Sequence, residues 1–171
     1  FLTTDQAKKK KEILESIENN EYLFFCISAD AGTGKTLLTY DIAKTYQECK
    51  KSVLVLHCAT LNEGQLELNK SHGWNIKCVS VLRTTELDLV IEYPDLIVVD
   101  EAHRIRKHQL DALVQYVAER KISVLFSYDT KQYLKDNETR DIHAYLMEFY
   151  PQNTSQVRKL TTKIRTNKKM A

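Results

Sequence analysis

Apolar and polar positions along the chain follow two alternating periods. Four short, nearly continuous apolar runs stand out: "YLFFCIS" (22–28), "SVLVLHC" (52–58), "DLIVVD" (95–100) and "ISVLFSY" (122–128). A strand buried on both faces has no polar side to alternate with, so each run reads as a strand inside a parallel sheet. Amphipathic stretches lie between them. "TTDQAKKKKEILESIEN" (3–19) opens on a threonine cap and sets Ile13, Leu14 and Ile17 at helical spacing. "KTLLTYDIAKTYQEC" (35–49) predicts a helix with Leu37, Leu38, Ile42 and Tyr46 facing inward. "KHQLDALVQYVAER" (107–120) predicts another, with Leu110, Leu113, Val114 and Val117 in register.

The weaker signals fit the same alternation. "LNEGQLELNKS" (61–71) reads as a short helix and "NIKCVSV" (75–81) as a strand-like piece. "TELDLVIEY" (85–93) is a weak helix ending at Pro94, and "DIHAYLMEFY" (141–150) is a helix closed by Pro151. "QVRKL" (156–160) is a last strand, and "NKKMA" (167–171) begins a further helix. Buried strands separated by helices predict a mostly parallel sheet with helices on both faces, a three-layer α/β/α architecture. Such sheets bind ligands beyond the carboxyl ends of their strands.

Polar chemistry is concentrated at those ends. "ADAGTGKT" (29–36) follows the first strand and opens a helix, the context expected of a phosphate-binding loop. Ala29 stands where the usual motif has its first glycine. Ala31, Gly32, Thr33, Gly34, Lys35 and Thr36 would wrap a nucleotide's phosphates with backbone N–H groups at a helix N-terminus. Lys35 would reach the β- and γ-phosphates, and the Thr36 hydroxyl would ligate Mg²⁺. In "DLIVVDEAH" (95–103) a strand ends in two acids. Asp100 is placed to hold the Mg²⁺, and Glu101 to act as general base on the attacking water. His103 either couples the nucleotide to a neighbouring site or caps the next helix. Gln132, in "FSYDTKQYL" (126–134), could sense the γ-phosphate, and Arg165, in "KLTTKIRTN" (159–167), could grip it through its guanidinium. The alternative for both is a solvated surface side chain.

Composition narrows the setting. A chain of 171 residues suits one compact domain, and only four glycines and two prolines leave little room for long linkers. No segment reaches the roughly 20 apolar residues of a membrane span, and the polar, lysine-rich start shows no signal-peptide pattern. A start at Phe1 and an end in "KKMA" suggest a domain excised from a longer chain. The net charge of +2 says little about partners. Lysine clusters at 8–11 and 159–169 read first as solvated faces, and second as polyanion contacts. The four cysteines show no C-x-x-C pairing, and Cys26, Cys58 and Cys78 read as reduced, buried hydrophobes of a cytoplasmic protein. Histidine spacing gives no metal-ligand pattern.

The order of these motifs resembles the first RecA-like domain of superfamily 1 DNA/RNA helicases. More narrowly, it resembles the Schlafen-like DNA/RNA helicase domain of bacterial proteins, in "VVDEAHR" above all. The likeness covers nearly the whole chain. It implies that Gln6, in "LTTDQ", reads the adenine base, and that "VLHCATLNEGQ" touches single-stranded DNA or RNA through Thr60 or Asn62. "SYDTKQYL" is similar to the family's glutamine motif and "LTTKIRTN" to its arginine motif, which places Gln132 and Arg165 at the γ-phosphate. The resemblance implies an ATPase that uses ATP and Mg²⁺, is completed by a second RecA-like domain, and is weakly active or inactive without it. A switch or signalling ATPase module that moves no strand is the competing expectation.

Overall fold

A computed structural model describes residues 2–30, 34–82, 87–129 and 141–160. The strands are β1 (Phe24–Ala29), β2 (Val53–His57), β3 (Asn75–Cys78), β4 (Leu96–Asp100), β5 (Ser123–Asp129) and β6 (Arg158–Leu160). The helices are α1 (Thr4–Glu18), α2 (Lys35–Glu48), α3 (Glu63–His72), α4 (Leu87–Ile91), α5 (Lys107–Arg120) and α6 (Ile142–Phe149). The strands form one sheet in the order β3-β2-β4-β5-β1-β6. Every pairing is parallel, as the continuous apolar runs require.

Alternate strand residues feed two cores. Phe24, Cys26, Leu54, Leu56, Ile97, Val99, Val124 and Phe126 face one side, where Leu110, Leu113, Val114 and Val117 of α5 and Tyr145 and Leu146 of α6 cover them. Phe25, Ile27, Val53, Val55, Leu96, Val98 and Leu125 face the other, under Ile13 and Ile17 of α1 and Leu38, Ile42 and Tyr46 of α2. The central strands β1, β2 and β4 are buried along their whole length.

Three expectations need adjustment. Leu37 does not face inward: it is 42% exposed. The buried stripe of α2 runs through Lys35, Leu38, Thr39, Ile42, Ala43 and Tyr46, and Leu37 lies a full residue step, about 100°, off it. The strand in "NIKCVSV" stops at Cys78, and Val79–Val81 turn into a 3-10 helix once pairing with β2 ends at His57. Helix α4 ends before Pro94 at Ile91, where Glu92 and Tyr93 take left-handed φ of 54° and 51°. Of the cysteines, Cys26 and Cys58 are buried, Cys78 is half-buried and Cys49 is exposed.

Candidate nucleotide site

Sheet register sets the geometry. Ala29, at the end of β1, stands beside Asp129, at the end of β5. His57, at the end of β2, stands beside Asp100, at the end of β4. All four therefore share the carboxyl edge from which α2 departs.

Gly34 introduces α2 with φ 82°, left-handed backbone that glycine adopts without a Cβ penalty. Lys35 follows and is buried. Its Nζ donates to Glu101 Oε2 at 3.1 Å and lies 3.4 Å from Asp129 Oδ1. The Thr39 hydroxyl donates to the Lys35 carbonyl at 2.7 Å, bracing the first turn. Thr36 is exposed on that same turn.

Asp100 is only 2% exposed, and its carboxylate is held from two directions. Oδ1 accepts from the Glu101 backbone N–H at 3.0 Å, and Oδ2 lies 3.1 Å from His57 Nδ1. Because a carboxylate only accepts, Nδ1 carries the proton in that contact. Asp100 is a buried carboxylate and Thr36 carries a hydroxyl on the first turn of α2, both hard oxygen donors of the kind Mg²⁺ takes.

Glu101 sits in left-handed backbone, φ 55° and ψ 42°, an uncommon setting for a non-glycine residue and one that clusters at functional sites. Burial pushes its carboxyl up, but the hydrogen bond and charge of Lys35, joined by His103 and His57, outweigh burial and leave it below the ordinary glutamate value. It is ionised and able to accept a proton. His103 is pushed down, first by desolvation and then by Lys35 and Arg104, against Glu101 and Asp129, which raise it. Its Nδ1 accepts from the Asp129 backbone N–H at 3.3 Å, so the neutral ring carries its proton on Nε2. His103 thus ties the end of β5 to the 3-10 turn Ala102–Arg104, whereas the N-cap of α5 is Arg106. Glu101, His103 and Asp129 bring one ligand-capable atom each within 4.8 Å of one another. The histidine spacing hides this trio because it spans two strands.

Gln6 is 2% exposed, on the first turn of α1. It forms a capping box with Thr3: Gln6 N donates to Thr3 Oγ1 at 3.1 Å, and Thr3 N donates to Gln6 Oε1 at 2.9 Å. That box turns Nε2 toward the Gly34 carbonyl, 3.5 Å away. Thr60 is exposed after β2. Asn62 is exposed too, but its side chain caps α3, accepting from Gln65 N at 2.8 Å. Lys9 and Lys10 of the first lysine cluster pair with Asp5 and Asp41, each at 2.6 Å. Ala31, Gly32, Thr33, Gln132 and Arg165 lie outside the described residues. Asp129 and His57 escaped sequence reasoning. The one available signal was their place as the last residue of an apolar strand.

A family model described as "AAA domain" matches residues 2–170. The chain belongs to this family. No curated protein sequence matches it. Among solved structures, the AAA domain is similar to the Pif1 helicase of Candida albicans, with TM-score 0.62 and 14% identity over 96% of this chain and 40% of that one. It is similar to AMPPCP-bound DnaA of Aquifex aeolicus, with TM-score 0.59 and 13% identity over 94% of this chain and 48% of that one. It is also similar to the flagellar accessory protein FlaH of Methanocaldococcus jannaschii, with TM-score 0.53 and 14% identity over 72% of this chain and 69% of that one. The chain therefore spans 40% to 48% of the first of these proteins. At such identities the likeness establishes the P-loop α/β fold. The family match establishes the AAA class rather than the narrower Schlafen-like one. Among the described residues no helix is long and apolar enough to cross a membrane.

Proposed function

We propose that this AAA domain binds and hydrolyses ATP as the motor domain of a superfamily 1-type DNA/RNA helicase or translocase. One observation carries the reading: Lys35 is drawn between Glu101 and Asp129 at adjoining strand ends. An ammonium already balanced by two carboxylates is the arrangement a triphosphate would enter, taking over the lysine and leaving Glu101 free to accept a proton. The attacking water would form a bond to the γ-phosphorus as the bond to the ADP oxygen breaks, with its proton passing to Glu101. Thr36 and Asp100 would hold Mg²⁺, which offsets phosphate charge when bound. Gln6 is our choice for the adenine contact, because its amide lies at the end of the phosphate loop. Gln132 and Arg165 are proposed for the γ-phosphate on the strength of the motif resemblance.

Single-stranded DNA or RNA is the proposed partner, met by the loop that contains Thr60 and Asn62. The fold similarity to the Pif1 helicase, and to a DnaA structure bound to AMPPCP and single-stranded DNA, supports this. We further propose that the domain is one part of a longer cytoplasmic chain with a second RecA-like domain. Steady-state ATP turnover of the full-length protein, with and without a single-stranded oligonucleotide, tests the motor reading. Stimulation is expected, and unchanged turnover with both DNA and RNA refutes it. The fold similarity to FlaH, titled a flagellar accessory protein, favours a second reading, a nucleotide-dependent switch. That reading predicts ATP binding and turnover indifferent to nucleic acid.

A further inference from the structure

His57 closes β2 and is buried. Strand alternation sets it on the face that Val53 and Val55 share, the side covered by α1 and α2. Two bonds from consecutive residues fasten this end of β2 to Asp100. His57 Nδ1–H donates to Asp100 Oδ2 at 3.1 Å, and the Cys58 backbone N–H donates to the Asp100 carbonyl at 3.0 Å. Nδ1–H donates whether or not Nε2 also carries a proton, so the grip does not depend on the charge of the ring. Asp100 Oδ1 accepts from the Glu101 amide at 3.0 Å. Each carboxylate oxygen thus answers one donor and keeps a lone pair for a cation. Beyond His57 the chain leaves the core quickly. Cys58 is still buried, Ala59 is half-buried, Thr60 is exposed and Asn62 caps α3.

We propose that His57 is a positioning residue for the Asp100 carboxylate, and the link through which the loop after β2 responds when that carboxylate takes a cation. Partners one shell out from a metal ligand fix its orientation and basicity, and their loss typically weakens metal affinity by about 10- to 100-fold. A cation that draws on Asp100 draws also on the His57 ring and, through the Cys58 amide, on the start of the loop. Coupling of this kind is reciprocal, so whatever holds the loop in its cation-bound position also tightens the cation. The proposal deepens the ATP-site reading above and rests on it.

The test titrates Mg²⁺ into the full-length protein holding a fluorescent ATP analogue, and compares wild type with two variants. His57→Leu keeps a buried side chain at the end of β2 but has no donor. His57→Asn places an amide N–H at the same remove from Cβ as Nδ1, and so restores the donor without the ring. Both variants are expected to bind the metal-free analogue like wild type. His57→Leu is expected to need about tenfold more Mg²⁺ for half-saturation, while His57→Asn stays close to wild type. Hydrogen exchange over residues 58–61, with saturating Mg²⁺ against none, is expected to slow in wild type and His57→Asn but not in His57→Leu. A wild-type Mg²⁺ midpoint in His57→Leu overturns the proposal. A midpoint in His57→Asn as high as in His57→Leu also overturns it, because the ring and not the donor would then matter. Loss of metal-free binding in either variant overturns it by showing a role in folding alone. Loop exchange indifferent to Mg²⁺ in wild type overturns the link to the loop. A wild-type protein that binds no analogue, with or without Mg²⁺, removes the ATP-site reading and this proposal with it.

Discussion

Lys35 is the residue on which the candidate site turns, and its surroundings make its substitution unusually informative. Lys35→Ala would leave Glu101 and Asp129 facing each other without their shared cation. Nucleotide affinity is expected to fall by at least about 100-fold, since a charge-assisted contact of about 3 kcal/mol is lost and two carboxylates then repel the phosphates. Equilibrium binding of labelled ATP reads this directly, and retained affinity refutes the loop assignment. Glu101→Gln is the opposite case. The amide still accepts from Lys35 but cannot take a proton, so binding survives while turnover falls by about 100- to 10,000-fold. Full turnover in that variant would mean that another group is the base, and Asp129, 3.4 Å from Lys35 Nζ, is the carboxylate to replace next. The sequence made Lys35 and Glu101 legible because loop and acid pair are local patterns. Asp129 and His57 were not legible: each earns its place only by lying beside Ala29 or Asp100 across the sheet, and register is not written in any one segment.

At the level of elements, periodicity carried most of the reading, and it failed where a helix meets the site. The buried stripe of α2 begins with a charged residue, Lys35, and includes Thr39, so a count of apolar letters drifts onto Leu37. Polar residues buried within a helix stripe disguise its face. The start of α1 shows the converse, a local signal that serves two ends. Thr3 and Gln6 cap each other, and the same box aims Gln6 Nε2 at Gly34. Thr3→Ala removes the cap oxygen and is expected to lower stability by about 1 kcal/mol. If Gln6 reads the base, the variant also weakens ATP more than it weakens inorganic triphosphate, which has no base to read. Equal weakening of both ligands would reduce Gln6 to a capping residue. In the sheet, β5 carries both cores on alternate residues, Phe126 toward α5 and Leu125 toward α2. Phe126→Ala is expected to cost about 3–5 kcal/mol in chemical denaturation, because the cavity opens under the strand that presents Asp129.

The strand order explains why so compact a chain gathers so many groups in one crevice. The chain leaves β1, crosses with α2 to β2, adds β3 at the far edge, and returns to insert β4 beside β2 and β5 between β4 and β1. Neighbouring strands whose connections run in opposite directions leave a crevice at their carboxyl ends. Lys35, Asp100, Glu101 and Asp129 all stand at those ends. The α/β class and the helix layers followed from the apolar runs, whereas this order did not, since every run is equally buried. The motif order pointed past the class to a helicase, and the family match stops at the AAA domain. The difference lies in what covers the crevice. In the motor reading an arginine from a second RecA-like domain reaches the γ-phosphate, and such a residue is worth about 10³- to 10⁵-fold in turnover. The 171-residue chain is then expected to bind ATP with an affinity within about tenfold of the full-length protein's, but to hydrolyse it about 1,000-fold more slowly or more slowly still. Single-turnover hydrolysis of both forms at saturating Mg·ATP makes the comparison independent of product release. Equal rates would mean that the crevice is complete as it stands, with Arg165 as its own arginine, and the switch would then become the better account of the fold.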